Sequence, residues 1–195
     1  MTKILALSPH TDDIEFACGG SITRWIREGA EIHAVSFTSA SAQKKEFEEA
    51  SKVLGIKNTE LLQYPVRRFS ENRQRILDEM VAFERRIKPD IVLIPSSTDT
   101  HQDHQVIREE GFRAFKRTSL LGYEMPQNNL SFQTNLFVRI SELDIHNKVR
   151  ALRKYESQKD RSYITEEFIK GLALVRGMQA GTKYAEAYEV IRWMI

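Results

Sequence analysis

Two short stretches of the chain carry residues whose types and spacing suit chemistry. Residues 8–13 read SPHTDD, with His10, Asp12 and Asp13; residues 99–104 read DTHQDH, with Asp99, His101, Asp103 and His104. Each follows an apolar run, KILAL and DIVLIP, of the kind a buried strand shows. Charged groups at the end of such a strand are costly unless something satisfies them. His10 and Asp13 stand three residues apart, as do His101 and His104, a spacing at which side chains converge where the backbone turns. Two imidazoles and one carboxylate suit zinc, and three protein ligands leave its fourth position open to water. A further carboxylate nearby could serve as base for that water.

Taken singly, each stretch has a commoner reading. An Asp-Asp pair is an ordinary helix N-cap, and HQDH could cap the helix that follows it. Isolated histidines such as His33 and His146 are read as surface or hydrogen-bonded residues. The metal reading rests on finding both clusters at strand ends that the fold should bring together.

The elements around them alternate. KILALS, EIHAVSFT, TELLQY and DIVLIPS read as strands. GGSITRWIREG, QKKEFEEASKVLG and NRQRILDEMVAFERRIK read as the helices between them, with Phe47, Ala50, Val53 and Leu54 on one stripe and Ile76, Met80 and Phe83 on another. Such repetition predicts an α/β fold: a Rossmann-like, doubly wound, mostly parallel sheet with helices on both faces. In the strand order 3-2-1-4-5, strands one and four flank the switch point where ligands bind, so the two clusters should share one crevice. After residue 118, LLGYEM, LFVRI and AYEVIRW read as strands. ELDIHNKVRALRKYESQ and TEEFIKGLALVRGMQ read as helices, and PQNNLSFQTN as a polar loop that either contacts substrate or merely connects. Residues 1–195 read as one domain.

Lys and Arg total 29 against 27 Asp and Glu, a balance that argues against a nucleic-acid partner. No stretch is long and apolar enough for a membrane span, and the N-terminal segment reads as a strand rather than a signal peptide. One cysteine, Cys18, excludes an internal disulfide and suits a reducing, cytoplasmic setting. The turn after strand one has no G-x-G-x-x-G, which argues against a dinucleotide oxidoreductase. Gly19 and Gly20 read equally well as room for a ligand or as tight helix packing. Nothing in the sequence decides whether the chain forms a homo-oligomer.

The paired motifs PHTDDIE and HQDH resemble those of the LmbE-like/PIG-L family of zinc-dependent N-deacetylases. GGSITRWIREGAEIHAVSFT, KKEFEEASKVLGI, KVRALRKYESQ and GTKYAEAYEV extend the resemblance along most of the chain. It implies His10, Asp13 and His104 as ligands of one zinc or another divalent metal. Asp12 would be the general base, and His101 would polarise the substrate carbonyl or stabilise the oxyanion. Asp103 would hold His101 and favour its charged form. Asp99 and Glu15 would be supports, Glu15 facing either the site or solvent. The implied reaction is removal of an acetyl group from the amine of a small N-acetylated sugar or sugar conjugate. The alternatives are hydrolysis of another amide or acyl group, and a non-catalytic Rossmann-like sugar or nucleotide binder with a metal.

The chain departs from the family pattern at several points. Thr11 and Gln102 stand for motif prolines, Ala40 for a glycine, Lys44 for a substrate-contacting arginine and Val66 for an aspartate. Lys44, Arg67 and Arg68 follow strands two and three and could bind a phosphate or carboxylate of the substrate; a solvated surface is the bland alternative.

Overall fold

The computed structural model describes residues 1–38, 41–159, 161 and 164–194; Ala40 lies outside the described residues. Seven strands form one sheet in the order β3-β2-β1-β4-β5-β7-β6. β1 (Lys3–Ser8) lies between β2 (Glu31–Ser36) and β4 (Ile91–Pro95), parallel to both. β3 (Asn58–Leu61) and β5 (Ser119–Tyr123) extend the parallel part on either side. β7 (Ala185–Arg192) runs antiparallel to β5, and β6 (Leu136–Arg139) closes the edge antiparallel to β7. The expected strand order 3-2-1-4-5 is the order observed.

The continuous apolar runs follow from cover on both faces. Ile4 and Ala6 of β1 point into one core with Leu93 of β4, while Leu5 and Leu7 point into the other with Val92 and Ile94. The first core is closed by α1 (Asp13–Arg27), α2 (Ser41–Leu54), α5 (Glu142–Leu152) and α6 (Glu166–Gln179). The second is closed by α3 (Arg73–Ile87) and α4 (Gln102–Ala114). The expected α3 stripe of Ile76, Met80 and Phe83 is the face that α3 buries.

α1 begins six residues before the expected Gly19, at the motif itself. Asp13 and Glu15 occupy its first turn, where carboxylates favour the positive end of the helix dipole. Gly19 and Gly20 therefore lie inside α1, not at its start. A Cβ on Gly19 would stand 3.0 Å from Lys148 Cγ, and one on Gly20 2.8 Å from Ile140 Cδ1. The space admits a buried ion pair, Lys148 Nζ to Glu186 at 2.6 Å. Glu186 also accepts the Gly20 and Ser21 backbone N–H groups at 3.0 and 2.6 Å. Packing, not ligand access, accounts for these two glycines. Cys18 beside them is a fully buried core residue. Among the described residues no helix is long and apolar enough to cross a membrane.

Candidate active site

The loop after β1 and the loop after β4 meet at the carboxyl ends of these neighbouring strands. Tyr155, three residues beyond α5, donates its hydroxyl hydrogen to the Thr11 carbonyl and pins the first loop. His10 Nδ1, Asp13 Oδ2 and His104 Nε2 form a nearly equilateral triangle with sides of 3.4, 3.3 and 3.2 Å. A tetrahedral zinc ion with bonds of 2.0–2.1 Å separates its ligand atoms by about 3.3 Å, so this donor set fits one zinc. His101 joins the group more loosely: one ring nitrogen from each of His10, His101 and His104 lies within 4.8 Å of the others.

The remaining ring nitrogens are held by carboxylates. His104 Nδ1 donates to Asp99 Oδ2 at 2.7 Å, and His10 Nε2 donates to Asp103 Oδ2 at 3.1 Å. Such partners fix tautomer and ring orientation and leave the inner nitrogens free to bind metal. Asp99 also accepts the His101 backbone N–H at 2.9 Å. Asp103 accepts the backbone N–H groups of Arg67 at 2.6 Å and Phe69 at 3.3 Å.

This corrects the expectation for Asp103, whose carboxylate orients His10 rather than His101. The backbone N–H of Asp103 donates to His101 Nδ1 at 3.2 Å, making His101 the N-cap of α4. With Nδ1 accepting, a neutral His101 carries its hydrogen on Nε2. Burial, with repulsion from His104 and His10, lowers the His101 pKa, so the ring is held neutral rather than charged. Sequence alone could not assign the carboxylate, because its partners are backbone groups 36 and 34 residues away.

The two adjacent aspartates have opposite electrostatics. Burial would raise the Asp13 pKa, but the charge of His104 and hydrogen bonds from His10 and His104 hold it far below the usual range. Asp12 is pushed up to about 6 by burial and by repulsion from Asp13. Burial would lower both histidines, yet Asp103 and Asp13 carry His10 up to about 9, and Asp13 and Asp99 carry His104 up to about 10. Glu15 does not face solvent: it is fully buried, and burial raises its pKa well above the usual carboxylate range.

A crevice of about 330 Å³ opens over these groups, with Asp12, Asp13, His10, His101 and His104 in its lining. Its walls include Thr38, Gln43, Val66, Arg67, Gln127, Asn128, Gln158 and Arg161. Of the three cations expected at the rim, Arg67 lines it. Lys44 is exposed and not among the lining residues; its neighbour Gln43 is, since adjacent helix positions point about 100° apart. Arg68 is also outside the lining and pairs with Glu71 at 2.9 Å. Sequence reasoning passed over Gln43, Gln158 and Arg161. The PQNNLSFQTN loop, left open as a substrate loop or a mere connection, contributes Gln127 and Asn128 to the lining.

Comparison with known proteins gives consistent relatives. The family model PIG-L, GlcNAc-PI de-N-acetylase, matches residues 5–115, which span both motif loops. The uncharacterized deacetylase YaiS of Escherichia coli is 30% identical over 172 residues, covering 79% of this chain and 90% of YaiS. The diacetylchitobiose deacetylase of Thermococcus kodakarensis is 25% identical over 225 aligned residues, covering 97% of this chain and 83% of that protein. Among solved structures, GalB, the 4-carboxy-2-hydroxymuconate hydratase of Pseudomonas putida, superposes with a TM-score of 0.83 at 20% identity. That match covers 100% of this chain and 98% of GalB, and at this identity it speaks for the fold alone.

Proposed function

Because the chain belongs to the PIG-L family of de-N-acetylases, we propose that it is a zinc-dependent hydrolase removing the acetyl group from the amine of an N-acetylated sugar or sugar conjugate. Residues 1–195 act as one catalytic domain, with one metal per chain. The cytoplasm is its setting, which the single free cysteine suits. The observation that carries this reading is the triangle of His10, Asp13 and His104 donor atoms at zinc spacing, with Asp12 beside it and outside the ligand set.

A zinc ion held by those three side chains would supply Lewis acidity toward the amide oxygen and the attacking water. Asp12 accepts a proton from that water as it adds to the carbonyl. A pKa near 6 lets Asp12 be ionised at neutral pH and still hold a proton briefly. His101, neutral and with its hydrogen on Nε2, donates to the developing oxyanion. Asp12 then gives its proton to the amine nitrogen as the C–N bond breaks, yielding acetate and a free amine. Asp103 and Asp99 keep His10 and His104 in the tautomers that metal binding requires. The amides of Gln43, Gln127, Asn128 and Gln158 suit the hydroxyl groups of a sugar, and the name of the Thermococcus relative supports a sugar substrate.

Metal analysis of the purified protein, coupled to acetate release from N-acetylglucosamine glycosides and nucleotide sugars, tests the reading. About one zinc per chain is expected, with acetate release that stops on chelation and returns with zinc. Stoichiometric zinc without hydrolysis of any N-acetyl compound would sink it in favour of a binding module.

A further inference from the structure

Among the described residues, two that are not glycine adopt positive φ: Lys88 at 52° and Arg67 at 64°. Lys88 ends α3, where a left-handed residue is a common way to terminate a helix. Arg67 lies at no helix end of that kind; it precedes a 3-10 turn at Phe69–Asn72. A left-handed backbone is strained for an ordinary residue and unstrained for glycine. The conformation is fixed by the active site, because the Arg67 N–H must reach Asp103, which in turn holds His10. The backbone requirement would be met more cheaply by glycine, so the guanidinium calls for its own explanation.

Arg67 lines the crevice and its side chain is exposed. The arginines that follow are taken up by carboxylates: Arg68 by Glu71, and Arg73 by Glu109 and Glu110 at 2.7 and 2.5 Å. No ion pair engages Arg67 among the described residues. Arg161 lines the same crevice, following α5 and hence from the opposite layer of helices, and its charge reaches Asp12. Among the described residues, the acidic side chains in the lining are Asp12 and Asp13, both in the motif loop, and Asp13 is paired with His10 and His104. Above that loop, Thr38, Val66, His101 and Met125 line the crevice together with side-chain amides and the two arginines.

We propose that Arg67 and Arg161 receive an oxyanion, a phosphate or carboxylate borne by the substrate beyond its N-acetyl sugar. Guanidinium groups engage such oxyanions through paired N–H donors, a match that a lysine ammonium does not offer. Arg67 is thus a specificity residue, kept in a strained backbone for the reach of its side chain. The inference rests on the deacetylase reading only for the sugar amine that lies toward Asp12.

Calorimetric binding to the zinc-supplemented protein tests it. The probes are methyl glucosaminide, which bears no anionic group, glucosamine 1-phosphate, glucosamine 6-phosphate and carboxymethyl glucosaminide. At low salt at least one oxyanion-bearing probe is expected to bind tenfold or more tightly than methyl glucosaminide, and the better one identifies phosphate or carboxylate. Arg67→Gly should erase that excess and melt no lower than the parent protein; Arg161→Gln should reduce it. Equal affinity for all probes overturns the proposal, as does an excess that survives both substitutions. An Arg67→Gly protein that melts lower and weakens all probes alike also overturns it, by making Arg67 a packing residue. Acetate release from the N-acetylated counterparts is read separately. Selective anion binding without release would sink the deacetylase reading and leave the oxyanion site standing.

Discussion

Asp12 and Asp13 are adjacent in the chain and titrate in opposite directions. The difference comes from direction: Asp13 Oδ2 faces two imidazoles and accepts the His10 backbone N–H at 2.7 Å, whereas Asp12 caps α1 without a side-chain cap hydrogen bond. A group surrounded by cations and donors stays ionised, and a crowded neighbour of that anion does not. Asp12→Asn should therefore retain zinc, while turnover falls by about the 10²–10⁴-fold typical of a lost positioned base. Asp13→Asn should instead weaken zinc, since a neutral amide is the poorer ligand. Zinc affinity against a competing chelator, measured beside turnover for both variants, decides the matter. Loss of metal in the first variant and retention in the second would exchange the two roles.

At the scale of elements, α1 carries the motif loop and must sit at a fixed height over the sheet. Its close approach to α5 and β7 depends on Gly19 and Gly20, which leave room for Lys148 and Glu186. α5 is fixed at its own start by a capping box of Ser141 and Asp144, and Asp144 also pairs with Arg27 of α1 at 2.5 Å. The Arg27–Asp144 ion pair thus ties the end of α1 to α5, and the Gly20 and Ser21 N–H groups tie its middle to Glu186 of the buried Lys148–Glu186 pair. Alanine is the better helix former by roughly 0.8–1.0 kcal/mol, so an exposed Gly20→Ala would stabilise α1. Here the new Cβ meets Ile140 at 2.8 Å and Glu186 Oε1 at 3.0 Å, and the second contact displaces a buried carboxylate from its partners. Overpacking of this kind costs about 1–3 kcal/mol and should outweigh the gain. Urea denaturation is expected to show a net loss; an unchanged or raised midpoint would mean that the ion pair shifts freely.

For the whole molecule, the proposed zinc-binding triangle joins parts of the chain far apart in sequence: His10 and Asp13 from the β1–α1 loop, His104 from α4. A ligand that binds only where these parts are assembled stabilises the folded state by mass action, by about 2.7 kcal/mol when free zinc is 100 times its dissociation constant. For a chain of this size that corresponds to a rise in melting temperature of roughly 5–10 °C. A strong chelator should reverse the rise. A melting temperature indifferent to zinc and chelator alike would speak against a metal site built from these three side chains.

The order of strands and the meeting of the two motifs were legible in the sequence because both rest on local signals. Apolar runs covered on both faces mark β1 and β4, and the parallel sheet they belong to makes them neighbours at the switch point. That the two clusters suit a metal was legible for a related reason: imidazole and carboxylate at strand ends are few, and their types suit zinc; which three of them would hold it came from the family resemblance, not from the types. Which carboxylate serves which imidazole was not legible. Asp103 is turned toward His10 by the N–H groups of Arg67 and Phe69, and Asp99 toward His104 by the loop between them. Nor did the sequence show that Gln43 rather than Lys44 lines the crevice, that Arg161 reaches it from the far layer, or that Gly20 makes room for Glu186. A side chain's type is local, but the direction it points and the atoms it meets are set by backbone many residues away, and that only the assembled sheet and its two helical layers decide.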